Sequence, residues 1–242
     1  MDHNDYRATA GMYDLIAEGY VDPQLSALGE LLTLVDVQNG PILDIGCGSG
    51  RHLAHVLEAL PAAQAIGLEP SDAMRSLALG RLAANLGWRD RVTIRTEGAL
   101  EAPLPDQLSG VIMFGVFGHF TRFERSELIA RLAGRLPEGG AILLDLQLPE
   151  EPAEIAPYVV ADTHLGALRY RCLAEGAPLE GEAMQWRMTY QTLDGDAVIE
   201  NHTGESIFHH PRHELVREEM RAHGLTLTRL PDTTYWLAVR NT

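Results

Sequence analysis

Residues 41–53 read PILDIGCGSGRHL. The run ILDI suits a buried strand, and the stretch GCGSG that follows places three glycines within five positions. Glycine is used where φ must be positive or where the backbone approaches a ligand closely. A glycine-rich turn between a strand and a helix also exposes backbone N–H groups that favour polar or anionic ligands. Gly46, Gly48 and Gly50 therefore predict a cofactor-binding loop.

Short apolar runs alternate with amphipathic stretches on both sides of this loop. The predicted strands are 42–45, 65–69, 92–96, 111–114 and 141–148. The predicted helices are 11–35 (in two pieces, with a break at Asp22-Pro23), 50–60, a helix that starts at Ser71, and 123–136. Strands that alternate with helices are typical of an α/β fold, here a Rossmann-like, mostly parallel sheet with helices on both faces.

The pattern changes after Pro149. Long runs of mixed polarity at 165–209 predict a small antiparallel β insertion, and Asp194-Gly195 is typical of a hairpin turn between two of its strands. A helix at 211–223 and two strands, LTLTRL and YWLAV, then return to the main sheet. We therefore expect an N-terminal helical lid at 1–40, a cofactor-binding domain at 41–149 and 210–242, and a β insertion at 150–209 over the acceptor site.

The spacing of the glycines helps to identify the class of cofactor that the loop binds. A dinucleotide fingerprint reads G-x-G-x-x-G, but Arg51 occupies the place of its third glycine. Glu69 ends the next strand, where a carboxylate can accept hydrogen bonds from both ribose hydroxyls. Dinucleotide-binding enzymes share such a carboxylate, so the loop spacing is what argues against a nicotinamide cofactor.

The motifs LDIGCGSG and GLEPSDAM resemble those of the class I S-adenosylmethionine-dependent methyltransferases, over about residues 40–148. The resemblance implies a seven-stranded sheet whose last strand is antiparallel, and S-adenosyl-L-methionine as cofactor. It places Asp44 at the methionine amino group, the 46–50 loop against the methionine, Glu69 at the ribose and Met74 at the adenine, and it assigns the Phe114 carbonyl to the methionine amino group. The implied cofactor-binding residues are Asp44, Gly46, Cys47, Gly48, Gly50, Glu69, Pro70, Met74, Ala99, Leu100 and Phe114.

Two positions depart from the family pattern. Ala99 stands where the family often has an aspartate that contacts the adenine amine, so backbone groups of Ala99 and Leu100, or Glu101, would serve instead. The fourth strand opens with Ser109-Gly110 rather than the common aspartate.

Methyl transfer is an in-line displacement in which the protein mainly positions the nucleophile and sometimes takes its proton. His119 follows the fourth strand at the same sheet edge as the glycine loop, and an imidazole suits a general base near neutral pH. The alternative role for His119 is to cap the following helix near Thr121.

Tyr13 lies on the predicted lid, and its alternative role is that of a core aromatic residue. A YDL helix, a histidine after strand four and a β insertion are weakly similar to the amino-sugar N-methyltransferases, and this likeness implies that Tyr13 and His119 are catalytic.

The β insertion is expected to cover the acceptor pocket. Its candidate pocket-facing residues are Arg169, Arg171, Trp186, Tyr190 and His202. Period-2 alternation puts Trp186 and Tyr190 on one face with two methionines, which also suits simple core packing. The same strands suit a homodimer surface, and the sequence leaves these alternatives open.

The net charge of the chain disfavours some classes of binding partner. The formal charge of −15 over 242 residues disfavours nucleic acid and anionic membranes. No metal site is predicted, because the cluster at 209–213 (HHPRH) lacks an established ligand spacing and is typical of a solvated loop and helix start. Two cysteines and the absence of an apolar leader predict a cytoplasmic protein.

The predicted function is methyl transfer to an amine or hydroxyl of a small molecule, such as a sugar or secondary metabolite. The alternatives are a rearrangement by an S-adenosylmethionine-binding enzyme and an NAD-dependent oxidoreductase.

Overall fold

The structure is a computed structural model that describes residue 7 and residues 9–241. The strands are β1 (Ile42–Ile45), β2 (Ala65–Leu68), β3 (Val92–Arg95), β4 (Gly110–Met113), β5 (Ala141–Asp145), β6 (Ile155–Leu165), β7 (Leu168–Pro178), β8 (Ala183–Asp194), β9 (Ala197–His209), β10 (Leu225–Arg229) and β11 (Tyr235–Arg240). The α-helices are α1 (Ala10–Ile16), α2 (Glu18–Leu32), α3 (Arg51–Ala59), α4 (Asp72–Ala83), α5 (Arg122–Ala133) and α6 (His213–Ala222).

Seven strands form the main sheet in the order β10-β11-β5-β4-β1-β2-β3. The pairs within β5-β4-β1-β2-β3 are parallel, whereas β11 runs antiparallel to both β5 and β10. This topology confirms the predicted mostly parallel sheet with an antiparallel last strand. The strand order reverses between β1 and β4, and such a switch point is where open α/β sheets bind ligands at their carboxyl ends. The glycine loop follows β1 at this point.

Both faces of the main sheet are buried. Successive side chains along its strands point to opposite faces, and each face packs against its own hydrophobic core. Leu43 and Val111 belong to the core that α5 and α6 cover, whereas Ile42 and Ile112 belong to the core that α2 covers. Near-continuous apolar strands are typical of a parallel sheet between two helical layers. The carboxyl ends of β1, β2, β4 and β5 are thereby held at one rigid edge.

The β insertion is a four-stranded antiparallel sheet in the order β6-β7-β8-β9. Gly195, with φ of 56°, lies in the turn between β8 and β9, which confirms the predicted hairpin. The predicted start of the strands at residue 165 is wrong, because β6 precedes it. Pro157 and two pairing irregularities between Ile155 and Ala161 obscure the alternation of β6, and proline is tolerated there because β6 is an edge strand.

The N-terminal helices differ from the prediction in where they break. The break falls at Ala17 rather than at Asp22-Pro23, and Pro23 lies inside α2. Proline costs the helix the hydrogen bond to the carbonyl of Gly19, and Gly19 is exposed, so water can replace that bond. Of the predicted lid at 1–40, residues 1–6 and 8 lie outside the described residues. No helix in the described part of the chain is long and apolar enough to cross a bilayer.

Candidate active site

The glycine loop turns sharply between β1 and α3. The N–H groups of Gly46 and Cys47 both donate to the carbonyl of Leu68, at 2.8 and 3.0 Å, which ties the loop to the end of β2. Gly46 has φ of 66°, and a Cβ there would lie 2.5 Å from Cγ2 of Val116. Because a side chain at this position would clash, glycine is required for the loop to pack against the segment after β4.

Glu69 is fixed at the end of β2 by two backbone N–H groups. Its Oε2 accepts from Gly48 at 3.0 Å and its Oε1 from Ser71 at 2.8 Å. Glu69 is buried, with 8 % of the residue exposed. It therefore stands in one orientation, between the glycine loop and the start of α4, with Ser71 as the N-cap of that helix, as predicted.

A cavity of about 320 Å³ opens beside this carboxylate. Eight predicted cofactor residues line it, namely Gly46, Gly48, Glu69, Pro70, Met74, Ala99, Leu100 and Phe114. Arg131 donates to the carbonyls of Ala99 and Leu100, which turns those oxygens toward the guanidinium. The Glu101 carboxylate lies over Gly98 in the lining. Backbone N–H groups and Glu101 are thus the polar groups available where the family aspartate is replaced.

A larger cavity of about 590 Å³ lies on the other side of the glycine loop. Its walls come from α1 and α2, from the ends of β4 and β5, from the start of β11 and from the β insertion. Cys47 lines this cavity, whereas Gly50 and Asp44 line neither cavity. The volume suits a drug-sized ligand.

The two cavities meet along a shared wall. The residues common to both linings are Tyr13, Gly46, Gly48, Phe114, Gly115 and His119. A Cβ on Gly48 would lie 3.6 Å from the Tyr13 hydroxyl, so Tyr13 stands directly over the glycine loop. Both predicted catalytic side chains are therefore at the junction of the cavities.

Asp14 attaches α1 to the glycine loop. Its Oδ1 accepts from the Ser49 hydroxyl at 2.7 Å and from Arg51 at 3.0 Å, and its Oδ2 forms an ion pair with Arg81. A seven-residue helix is marginal by itself, so α1 depends on these contacts and on the packing of Met12 and Ile16 against the β insertion. Tyr13, the neighbour of Asp14, is positioned by the same attachment.

His119 ends a 3₁₀ turn, Phe117–His119, directly after β4. Its ring packs edge-on against Phe208 of β9, with the centroids 4.4 Å apart. Thr121 caps α5 itself, in a capping box with Glu124, so the alternative of His119 as the helix cap is wrong. A Cβ on Gly118 would lie 2.1 Å from the Phe208 ring, which shows how closely the β insertion approaches this turn.

Two acidic side chains lie at the strand ends beneath the site. Oδ2 of Asp44 is buried and has no hydrogen-bond partner among the described residues. Burial, and then the nearby Glu69, raise the pKa of Asp44 well above its ordinary value. Asp145 ends β5 and lines the larger cavity, a placement that the sequence analysis missed.

His52 lies on α3 in the lining of the larger cavity and was also missed. Its ring packs edge-on against Phe114 at a centroid distance of 4.8 Å, and its Nε2 is 3.1 Å from Oε1 of Gln24. Burial, and then the charge of Arg51, lower the pKa of His52 to about 4. The imidazole is therefore neutral in the folded protein at physiological pH.

We expect His52 to make the folded protein less stable as the pH falls from about 6.5 toward 4. The unfolded chain takes up a proton at the ordinary imidazole pKa, whereas folded His52 does so only near its lowered pKa, so the unfolded state binds more protons in this window. The loss is on the order of 3 kcal/mol at the acidic end. Urea unfolding across this range should show a shallower decline for His52→Phe than for the original protein. His164→Phe, on exposed β6, is the control, and equal slopes for all three proteins would contradict the assignment.

The β insertion contributes aromatic and aliphatic side chains to the larger cavity. Trp186 and Tyr190 of β8 line it, as predicted, together with Met188. Arg169, Arg171 and His202 do not line it, contrary to the prediction that they contribute to the pocket. The two arginines bind Asp162 on the face of the sheet that points away from the site. His202 pairs in register with Tyr190 and shares its face, but it binds Glu200 and does not line the cavity.

The histidine cluster at 209–213 contains the predicted helix start, because α6 begins at His213, but the prediction that it is solvated is wrong for His210. His210 is buried, accepts a 2.9 Å hydrogen bond from the Trp186 indole at Nε2 and lies 2.8 Å from the Pro149 carbonyl through Nδ1. Burial lowers the pKa of His210, which keeps the ring neutral for these contacts. Within the described ranges, no group of three or more His, Cys, Asp or Glu side chains is arranged to hold a metal ion.

Part of the sequence is similar to known proteins. Residues 42–140 match the family described as Methyltransferase domain. The tRNA U34 carboxymethyltransferase of Idiomarina loihiensis is 32% identical over 114 residues, which are 46% of this chain and 34% of that protein. The match thus spans about a third of the length of that curated relative.

Solved structures share the fold over nearly the whole chain. DesVI of Streptomyces venezuelae superposes with a TM-score of 0.76 at 21% identity, covering 96% of this chain and 98% of that one. CalS10, an amino pentose methyltransferase from Micromonospora echinaspora with bound SAM, gives 0.72 at 18% identity, with 91% of both chains covered. The sugar N-methyltransferase KedS8 from Streptoalloteichus sp. gives 0.70 at 21% identity, with 95% of this chain and 93% of that one covered. The predicted Rossmann-like fold with its β insertion is confirmed.

Proposed function

We propose that this chain is a class I S-adenosylmethionine-dependent methyltransferase, as the match of residues 42–140 to the Methyltransferase domain family supports, and that it transfers a methyl group to an amine or hydroxyl of a small molecule. S-adenosyl-L-methionine is its methyl donor. The acceptor class that we propose is a sugar or secondary metabolite, and the fold shared with CalS10 and KedS8 supports this choice.

The main support for the proposal is the arrangement of the two cavities. The cavity beside Glu69 and the cavity under the β insertion meet at Tyr13 and His119. A two-substrate transfer requires that two ligands reach each other at one point while water is kept away. Two cavities with a shared wall meet that requirement.

The polar groups of the site fit the donor. The unpartnered, buried Oδ2 of Asp44 suits an ammonium group near the loop, and the fixed carboxylate of Glu69 suits a ribose diol. Met74 and the backbone of Ala99 and Leu100 form the wall proposed for the adenine. The Phe114 carbonyl and the loop residues Gly46, Cys47, Gly48 and Gly50 are proposed for the methionine. When bound, the donor supplies an electrophilic methyl group.

Two side chains are proposed to serve the acceptor. His119 takes a proton from the acceptor nucleophile, since an imidazole is a base of suitable strength near neutral pH. Tyr13 orients the nucleophile through its hydroxyl, which stands over Gly48. Residues 1–40 act as a lid that Asp14 attaches to the loop, and residues 150–209 cover the acceptor.

The charge of the chain bears on the partner. A formal charge of −15 opposes the approach of a polyanion, so a tRNA substrate like that named for the curated relative is disfavoured. We propose a small-molecule acceptor, with no nucleic-acid or membrane partner, for a cytoplasmic enzyme. The β insertion remains available for a homodimer contact.

Thermal-shift titration tests the donor assignment. S-adenosylhomocysteine is expected to raise the melting temperature with saturable dependence, because a ligand that binds only the native state stabilises it. NAD⁺ and NADH serve as the comparison. Stabilisation by a nicotinamide nucleotide and not by S-adenosylhomocysteine would overturn the proposal. Formation of S-adenosylhomocysteine across a panel of amines and alcohols then separates transfer from a rearrangement.

Glu69→Ala is expected to weaken S-adenosylhomocysteine binding by about 10–100-fold, since hydrogen bonds to a charged group are each worth roughly 1.5–3 kcal/mol. Isothermal titration calorimetry measures the change. Glu127→Ala is the matched control, because it removes an exposed carboxylate that lines neither cavity. An unchanged dissociation constant for Glu69→Ala would contradict the ribose assignment.

A further inference from the structure

Asp145 occupies the floor of the larger cavity. It is the last residue of β5, and its Oδ1 accepts a 2.7 Å hydrogen bond from the N–H of Gly115, just after β4. On its other side it pairs in register with Tyr235 of β11. The carboxylate is thus held between two neighbouring strands, at the edge of the sheet where the cavities meet.

This carboxylate has no counter-ion. Among the described residues it forms no ion pair, and the Gly115 N–H is its single hydrogen-bond donor from another residue. Burial raises the pKa of Asp145 to about 6, so the group is largely ionised at neutral pH. The side chain is half-buried and faces the cavity, so its charge is open to a ligand there. Groups with a shifted pKa that line a cleft are frequent at functional sites.

The rest of the cavity also suits a cation. As far as the chain is described, Arg51 is the one basic residue other than histidine in the lining, and Asp14 already engages its guanidinium. The aromatic rings of Tyr20, Trp186 and Tyr235 contribute to the walls. Aromatic faces attract ammonium groups by roughly 0.5–2 kcal/mol each. An anionic group in the cavity would meet no free positive charge.

We infer that Asp145 binds the protonated amino group of the acceptor, and that the acceptor is an amine with no anionic group inside the cavity. This inference rests on the proposed function and selects between the two acceptor classes that the function allows. An alcohol offers no charge to Asp145, whereas an amine is an ammonium ion at neutral pH both before and after methylation. His119, in the same lining, is placed to take the proton that the amine must lose before transfer.

Two ring compounds of equal shape test the inference. The protein is saturated with S-adenosylhomocysteine and titrated with cyclohexylammonium chloride or with cyclohexanol at constant ionic strength, and saturation-transfer difference NMR reports the dissociation constants. We expect the ammonium ion to bind at least about tenfold more tightly than the alcohol, the difference that a charge-assisted hydrogen bond provides. Asp145→Asn should remove this preference and leave cyclohexanol binding unchanged.

The variants separate the possible outcomes. Asparagine can still accept the Gly115 hydrogen bond, and unchanged S-adenosylhomocysteine affinity shows that the variant is folded. Asp106→Asn, at an exposed position outside both cavities, controls for the loss of one negative charge. Absent or equal binding of the two probes, or a preference that survives in Asp145→Asn, overturns the inference. Failure of S-adenosylhomocysteine to bind the original protein would instead count against the proposed function.

Discussion

Replacement of His119 by alanine is expected to lower kcat by about 10²–10⁴-fold, the range that general base catalysis contributes. The imidazole belongs to the linings of both cavities, and its position after β4 is set by packing against Phe208. Removal of the ring takes away the proposed proton acceptor while the donor contacts at Glu69 remain. The measurement is the rate of S-adenosylhomocysteine formation at saturating acceptor and neutral pH, with an acceptor chosen from the amine panel.

The interpretation requires that the cofactor site of the variant is intact. S-adenosylhomocysteine affinity should therefore be unchanged in His119→Ala, and His164→Ala, on exposed β6, should keep full activity. His119→Asn keeps hydrogen-bonding groups without a useful base, so it should be as slow as the alanine variant. Recovery of most of the rate in the asparagine variant would instead assign His119 to orientation of the acceptor.

The fold was predictable because its determinants are local. The sequence ILDIGCGSG joins a buried strand to a turn that requires glycine, and strands and helices alternate from there to Asp145 with clear apolar runs. The N-cap at Ser71 and the hairpin at Gly195 are also short-range signals. Strand β6 was missed because its edge position allows Pro157 and irregular pairing, and these remove the alternation that identifies a strand.

Residues of the site could be predicted only where they belong to a recognisable sequence motif. Glu69 ends a recognisable strand, whereas Asp145 looked like one residue of a longer strand, 141–148, and its environment depends on Gly115 and Tyr235 from distant parts of the chain. Alternation placed Trp186 and Tyr190 on one face of β8. It could not decide which face of the neighbouring β7 turns toward the site, and Arg169 and Arg171 were assigned to the wrong side.

Replacement of Arg125 by alanine is expected to reduce the free energy of unfolding by about 3–5 kcal/mol, the loss typical of a buried ion pair that is broken on one side. Arg125 of α5 is fully buried and binds Glu219 of α6 at 3.2 Å and Glu182, between β7 and β8, at 2.8 Å. Without the guanidinium, Glu219 keeps a largely buried charge that has lost this partner. Urea unfolding, followed by circular dichroism, measures the change.

The same helix provides a matched control. Arg122 lies 3.5 Å from Glu219, but its side chain is 70% exposed, so Arg122→Ala should cost no more than about 1 kcal/mol. Both arginines share one acidic partner, and they differ in burial and in the contact with Glu182. Arg125 also joins α5 to the β insertion through Glu182, and Glu182→Gln, which keeps a hydrogen-bond acceptor for the guanidinium, should cost less stability than Arg125→Ala. Equal losses for Arg122→Ala and Arg125→Ala would show that burial does not strengthen this ion pair.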